Sequence, residues 1–147
     1  MDLFKAMEVT ASGLNAERSR MNTIASNLAN AKTTRTEDGG PYKRLDPVFQ
    51  AVPMATKFED LVGEKAAQAT SAVKVQEIRQ DDSPPQMVFD PGHPDADANG
   101  YVAMPNVNVV QEMVNMITAS RAYESGVTVM QTVKGMARSA LNIGGGG

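Results

Sequence analysis

The sequence contains no cysteine, no tryptophan and a single histidine among its 147 residues. Without cysteine the chain can form no disulfide and has no thiolate chemistry. Aromatic residues make up only 5% of the chain, and ten methionines stand against four phenylalanines. A chain of this composition packs mainly with flexible aliphatic side chains, which suits helix–helix seams that accept several partners.

Strong positive charge and long apolar runs are also lacking. The formal net charge is −3, and no cluster of lysine and arginine offers a face for phosphates, so we predict no nucleic-acid partner. No run approaches the roughly 18 apolar residues of a membrane span. Residues 1–5 do not form a basic leader before an apolar stretch. We therefore expect a cytoplasmic protein, or one that leaves the cytoplasm without a cleavable signal peptide.

Catalytic groups are equally scarce. His93 lies in a Pro-Gly-His-Pro turn, and an exposed turn histidine is the simplest interpretation. The acidic pairs at 59–60 and 81–82 are adjacent in sequence, so their carboxylates point apart instead of flanking a substrate bond. No phosphate-binding loop, nucleotide-binding glycine pattern or zinc-ligand spacing is present. We predict no enzyme, no catalytic residues, no cofactor and no small-molecule substrate.

One segment, Asp95–Gly100, has the first half of a calcium-binding EF-hand loop. Its side-chain oxygens occupy loop positions 1, 3 and 5, and a glycine follows at position 6. Position 12 falls on Asn106, a neutral amide, where the loop needs a bidentate glutamate. We predict no metal site, and a weak calcium-binding module through Asp95, Asp97 and Asn99 is kept as an alternative.

The prolines divide the chain into two arms and a middle. All eight lie between Pro41 and Pro105. Residues 31–106 carry eight positive and twelve negative charges, whereas the arms on either side are nearly neutral. We predict an N-terminal helix over 1–32, an acidic β and turn segment over 33–106, a C-terminal helix over 107–143 and a flexible glycine tail over 144–147.

Both arms have helical periodicity. In the first, apolar residues recur every seven positions, and the helix is expected to fade after Leu28. In the second, Asn108 is the predicted N-cap and Gln111 its reciprocal capping partner. The buried face of a simple helical hairpin would contain Met7, Leu14, Met21, Met113, Met116 and Met130.

The middle has strand patterns at 48–52, 73–76, 87–89 and 101–104, and residues 56–71 form a loop or a short helix. The predicted fold class is therefore mainly α with a small β-rich middle. An antiparallel pair of long, coiled-coil-like terminal helices carries a short β-hairpin or loop insertion.

The apolar surface of the arms is too wide for a single seam. Residues that widen it are Leu3, Ile24, Val110, Val114, Ile117, Val133 and Met136. A lone helix pair would leave part of this surface wet, which indicates self-association or neighbours. The run Ala25–Asn30 is small and amide-rich, so it either ends the first helix or contacts another subunit.

Two signatures resemble those of the bacterial flagellar axial proteins, which are the rod, hook and hook-associated subunits. Ser12–Ala16 followed by Ser26–Ala31 resembles the N-terminal signature of that family, and Val110–Ile117 with Ala119–Glu124 resembles its C-terminal signature. Residues 88–107 are similar to the central segment of a short rod subunit. The chain departs from the family at Thr33–Tyr42, where the expected glycine and aromatic come late.

The resemblance implies a structural subunit of the proximal rod of the flagellar basal body, part of the shaft that transmits torque for motility. Paired terminal helices would form an inner tube, with the middle segment facing outward. Export would use the flagellar type III apparatus without a cleaved signal peptide, and the subunit would assemble in the periplasm. Implied partners are copies of the chain, other rod proteins, the membrane-embedded ring and the export machinery. The segment Asp95–Gly100 would then be a polar turn.

The predicted subunit interface combines the two apolar stripes with residues of both signatures. Its members are Met7, Leu14, Met21, Asn27, Leu28, Asn30, Met113, Met116, Ile117, Arg121, Tyr123, Val127 and Met130. A secreted helical protein that binds a partner helix would have similar ends, and it remains the second alternative.

Overall fold

The computed structural model describes residues 3–54 and 70–144. The elements in chain order are α1 (Leu3–Ala29), β1 (Leu45–Pro53), β2 (Ser71–Gln80), β3 (Gln86–Phe89), β4 (Tyr101–Met104) and α2 (Val109–Gly144). The predicted fold class, a pair of long terminal helices around a small β insertion, is confirmed. Neither helix, within these two ranges, combines the length and apolar character that a membrane crossing requires. The predictions for 56–69 and 145–147 lie outside the described residues.

The four predicted strands are present and pair as two separate two-stranded sheets, β1 with β2 and β3 with β4. β1 and β2 are longer than predicted. β1 includes Pro47 and Pro53, the two prolines that flank the predicted strand at 48–52. In a two-stranded sheet every strand is an edge strand, where a proline is tolerated because its missing N–H can face away from the ladder. The hairpin of β3 and β4 is antiparallel, with Phe89 opposite Tyr101 and their ring centroids 5.3 Å apart.

The helix ends follow from side-chain hydrogen bonds that the sequence predicts. At the end of α1 the backbone N–H and the side-chain amide of Asn30 both donate to the Ser26 carbonyl, at 3.0 and 2.9 Å. At the start of α2 the Gln111 backbone N–H donates to Asn108 Oδ1 at 3.1 Å, so Asn108 is the N-cap. The prediction that Gln111 is the reciprocal capping partner is wrong, because its side chain donates to Asn115 Oδ1 at 3.3 Å. The cap therefore depends on Asn108.

The chain packs as two compact units, and each contains part of both helices. The first unit consists of residues within 1–19, 49–76 and 120–147, and the second of residues within 20–48 and 77–119.

In the first unit α1 packs on α2 and on β2. A Cβ added to Gly126 would lie 2.8 Å from Leu14 Cδ2, so the missing side chain of Gly126 makes room for Leu14. Ser12, in the N-terminal signature, accepts a hydrogen bond from the Val73 backbone N–H of β2 at 3.0 Å. Ala16 and Val133 are buried in this unit. The small residues of both helices therefore set how closely the helices approach one another here.

Replacing two glycines of α2 by alanine should change the stability of the chain in opposite directions. Gly135→Ala should stabilise the chain by about 0.5–1 kcal/mol, because alanine favours helix and nothing lies within 4 Å of the added Cβ. Gly126→Ala has the same propensity gain but overpacks Leu14, which costs about 1–3 kcal/mol. We expect urea unfolding followed by circular dichroism to rank the variants Gly135→Ala, wild type, Gly126→Ala. Equal stabilisation by both substitutions would contradict the packing of Leu14 on Gly126.

Candidate functional site

The second unit contains a buried polar network centred on Asn27, which has no exposed surface. Its Nδ2 donates to the Leu45 carbonyl at 2.9 Å and to Glu112 Oε2 at 3.1 Å. Its Oδ1 accepts from the Leu45 backbone N–H at 2.9 Å and from the Tyr42 hydroxyl at 3.0 Å. Every donor and acceptor of the side-chain amide is thus used, which is how a buried polar group avoids its desolvation cost.

Glu112, in the first turn of α2, is the acidic member of the network and is only 1% exposed. Arg44 Nε donates to its Oε1 at 2.8 Å, and the rest of the Arg44 guanidinium binds the Asp46 carboxylate through both terminal nitrogens. Burial by itself would lower the pKa of Arg44, but its hydrogen bonds to Asp46 and Glu112 raise it above its ordinary value. The Arg44 guanidinium is therefore held in its charged form.

A buried ion pair stabilises a fold only when both partners stay in place. Bringing two charges out of water costs several kcal/mol for each ion, and their attraction offsets this cost only with good geometry and satisfied hydrogen bonds. Glu112 meets both conditions, since Arg44 and Asn27 each donate to one of its oxygens. Removal of one partner would leave a buried charge or donor unpaired, at a cost of about 3–5 kcal/mol.

A second layer of hydrogen bonds ties the network to the end of β2 and to the approach to α2. The Arg44 backbone N–H donates to Asn106 Oδ1 at 2.8 Å, and Asn106 Nδ2 donates to the Asp81 carbonyl at 3.0 Å. Hydrogen bonds from the Ser83 hydroxyl and backbone N–H lower the pKa of Asp81, helped by nearby Arg44. The segments around residues 27, 44, 81, 106 and 112 are thus one connected cluster.

Residues 33–42, where the glycine and the aromatic residue of the family signature come late, lead into the network around Asn27. Gly39 and Gly40 have φ values of +82° and +77°, conformations that residues with a Cβ rarely adopt. The turn they form lets the Tyr42 backbone N–H donate to the Thr33 carbonyl at 3.0 Å, and the Tyr42 hydroxyl then reaches Asn27. The departure from the family pattern therefore still delivers an aromatic side chain to the end of α1.

The side of α2 opposite Glu112 is apolar and exposed. With about 100° between successive residues, positions 110, 113, 114 and 117 cluster on one side of the helix, whereas 112 and 119 fall on the other. The exposed fractions are 72% for Val110, 54% for Met113, 51% for Val114 and 55% for Ile117. We call these four residues the α2 stripe. Each leaves roughly 1 kcal/mol of burial energy unused in the single chain.

The predicted interface residues differ in their exposure. Asn27 is fully buried, and the exposed members are Met113, Ile117 and Arg121. The half-buried members are Met7, Leu14, Met21, Leu28, Asn30, Met116, Tyr123, Val127 and Met130. The prediction that Met113 lies on the buried face of the hairpin is wrong, because Glu112 and Ala119 occupy that face in the second unit. Subunit contact by these residues stays a prediction.

Sequence reasoning missed Glu112, Arg44, Tyr42 and Asn106. A glutamate in the first turn of a helix is usually placed there by the helix dipole and is solvated, so its burial has no local signal. The one available hint was the resemblance itself, since Glu112 lies inside the C-terminal signature.

The loop between β3 and β4 is the polar turn that the sequence predicts. Asp97 Oδ1 accepts from the backbone N–H groups of Asn99 and Tyr101 at 2.8 and 2.9 Å, and Gly100 adopts a φ of +82°. Asp95 Oδ2 accepts from the Thr34 hydroxyl at 2.8 Å. Both carboxylates are thus engaged by donors of the chain. Across 3–54 and 70–144, no group of three or more acidic or histidine side chains could hold a metal ion. The calcium alternative is not favoured.

Comparison with known proteins identifies the family. Residues 7–35 match the family described as flagella basal body rod protein, and residues 98–143 match the flagellar basal body rod FlgEFG protein C-terminal family. The flagellar basal-body rod protein FlgC of Salmonella typhimurium is 42% identical over 144 residues, which cover 98% of this chain and 99% of the relative. The chain belongs to the FlgC family of flagellar basal-body rod proteins.

FlgC proteins of other bacteria are similar to this chain as well. The FlgC protein of Borreliella burgdorferi is 41% identical over 156 residues, which cover 97% of this chain and 98% of the relative. That of Bacillus subtilis is 40% identical over 151 residues, with coverage of 98% and 99%. The chain is thus a structural subunit of the flagellar basal-body rod, and the alternative of a secreted partner-binding protein is not favoured. The two matched segments contain Asn27 and Glu112, which meet in the network.

Replacing the buried amide by an isosteric carboxylate should disrupt the network. Asn27→Asp loses the donor that serves Leu45 and Glu112 and places a second carboxylate beside Glu112. We expect a loss of about 3–5 kcal/mol in the free energy of unfolding, measured in urea. Asn22→Asp is the matched control, because Asn22 is exposed on the same helix, and it should change stability by less than about 0.5 kcal/mol. Equal effects of the two substitutions would contradict the network.

Substitution of Gly100, in the turn between β3 and β4, should also destabilise the chain. Gly100→Ala forces a Cβ into a left-handed backbone conformation, 3.0 Å from the Phe89 ring and 3.1 Å from Pro91 Cβ, and should cost about 1–3 kcal/mol. Gly92→Ala, in the same loop, would place its Cβ 3.6 Å from its nearest neighbour, Asp90 Oδ1, and should be nearly neutral. The free energies of unfolding of both variants test this, and a neutral Gly100→Ala would refute the assigned turn.

Proposed function

We propose that this FlgC-family chain is a subunit of the proximal rod, where it acts without catalysis as part of the shaft that transmits torque. The observation that carries the proposal is the α2 stripe, an apolar surface of four residues that the single chain leaves more than half exposed. A subunit that worked alone would be expected to bury or break such a surface, whereas a subunit of an assembly uses it.

The partners we propose for this surface are neighbouring rod subunits, either copies of this chain or other rod proteins. A helix face with methionine and β-branched residues at three- and four-residue spacing fits another apolar helix, since such side chains interdigitate between facing helices. Contact with the membrane-embedded ring of the basal body and with the export machinery belongs to the same proposal.

The route to the rod that we propose is flagellar type III export without a cleaved signal peptide. Export of this kind requires the chain to unfold and refold, and the composition suits that requirement because the chain has no cysteine to be oxidised on the way. We further propose that the terminal segments 1–32 and 107–143 form the inner part of the rod and that residues 33–106 face outward.

Among the predicted interface residues, those that are exposed or half-buried are proposed to contact neighbours directly. Asn27 is proposed to act indirectly, because a side chain without exposed surface can only hold in place the elements that do make contact.

A charge in the α2 stripe should block assembly. Ile117→Asp leaves the monomer folded, because Ile117 is 55% exposed, but it would bury an unpaired carboxylate against a neighbour. We expect loss of swimming, with the variant still exported and of normal helix content. Thr118→Asp is the matched control, since Thr118 is exposed beside the stripe, and this variant should swim. Normal swimming of Ile117→Asp in cells that lack the wild-type chain would refute the proposal.

A further inference from the structure

The start of α2 places a charged residue inward and an apolar stripe outward, which is the reverse of the usual arrangement. Glu112 and Ala119 are 1% and 0% exposed, whereas every member of the α2 stripe is more than 50% exposed. A surface helix ordinarily turns its apolar side to the core and its charges to water. On hydrophobicity alone, a rotation of this helix that buried the stripe and exposed Glu112 would be preferred.

We propose that Glu112 is a positioning residue which, through Asn27 and Arg44, fixes the rotation of the start of α2 about its own axis and so keeps the α2 stripe outward. The inference rests on the assembly role proposed above for the stripe. Rotation of the helix would take the Glu112 oxygens away from Asn27 Nδ2 and Arg44 Nε, which now donate at 3.1 and 2.8 Å.

The network opposes rotation because Asn27 would lose a partner that its buried side-chain amide uses. Asn27 uses both donors and both acceptors of its amide, so loss of Glu112 leaves one of its buried N–H groups unpaired. The interaction is also directional, whereas contacts among methyl and methylene groups tolerate rotation. A buried polar group can thereby specify one arrangement among several that are similar in hydrophobic burial.

Asn27 and Arg44 are held in place independently of α2. They can therefore define the rotation of α2 about its own axis. Asn27 Oδ1 accepts from the Leu45 backbone N–H and its Nδ2 donates to the Leu45 carbonyl, so the side chain is bound to β1 by two bonds. Arg44 is held by Asp46 and through its backbone N–H by Asn106. Glu112 therefore docks onto a preformed site, and the direction of the stripe follows from that docking.

Thiol labelling of the purified monomer tests the proposal, because the natural chain has no cysteine. Ile117→Cys reports on the stripe and Ala119→Cys, in a separate chain, on the buried side. With Glu112 present, a maleimide should label position 117 at least about tenfold faster than position 119. Adding Glu112→Leu should lower this ratio about tenfold or invert it, while helix content is kept. Glu124→Leu, the same change at an exposed glutamate of α2, should leave the ratio unchanged.

A second variant covers the possibility that Glu112→Leu fails to fold because Asn27 loses its partner. The double substitution Asn27→Leu with Glu112→Leu replaces both buried polar groups by apolar ones of similar size. An unchanged labelling ratio in either folded variant overturns the proposal. Unfolding of both variants overturns it too, because a rotated, folded helix is then not accessible to the chain.

Labelling of the monomer requires no assembly, so this test and the swimming test can fail separately. A ratio that changes as expected, together with normal swimming of Ile117→Asp, would keep the positioning role of Glu112 and remove the assembly role of the stripe. An unchanged ratio with loss of swimming by Ile117→Asp would keep the assembly role of the stripe and remove the positioning role of Glu112.

Discussion

The hydrogen bond and ion pair that Glu112 makes with Asn27 and Arg44 are the interactions on which the described arrangement of the second unit depends. They join the end of α1, the start of β1 and the start of α2, which lie far apart in sequence. The remaining contacts of this unit, such as those of Asn106 with Arg44 and Asp81, extend the same cluster outward. Because a buried charge cannot lose its partners cheaply, these segments are held together as a group.

With the assembly role proposed for the α2 stripe, the same interaction would explain how a rod subunit can have both a stable fold and an exposed apolar surface. A helix with an apolar stripe normally buries it, and a chain that exposes one risks unwanted association. Here the charged residue Glu112 occupies the inner face of the helix, and the stripe stays exposed on the outer face. In the rod assembly proposed above, such an outward surface would contact a neighbouring subunit.

Much of the fold could be predicted from sequence because it depends on local patterns. Helical spacing of apolar residues identifies both helices, and short apolar or alternating runs identify all four strands. Asn30 and Asn108 mark helix ends through hydrogen bonds to nearby backbone. The turn at Asp97–Gly100 is equally local, since its aspartate bonds backbone groups two and four residues away. Local rules suffice wherever the deciding contact is made within one element or turn.

The network could not be predicted because its contacts join residues that no local rule connects. Glu112 lies 85 positions from Asn27 and 68 from Arg44. Hydrophobic periodicity assigned the inner face of α2 to Met113, one position away, and this shift by one residue exchanged an exposed side chain for a buried one. The spacing of apolar residues gives no sign of an ion pair inside a core. A glutamate on a helix is therefore predicted to face solvent unless the basic residue that pairs with it is already known.

In the proposed assembly, Glu112 stays inside the subunit while the α2 stripe meets a neighbour. A density map of the assembled rod that resolves side chains of this chain tests it most directly. We expect Glu112 to be enclosed by Asn27 and Arg44 of the same chain, with Val110 and Ile117 covered by another subunit. A map in which the stripe faces water, or in which Glu112 lies at a boundary between subunits, would contradict it.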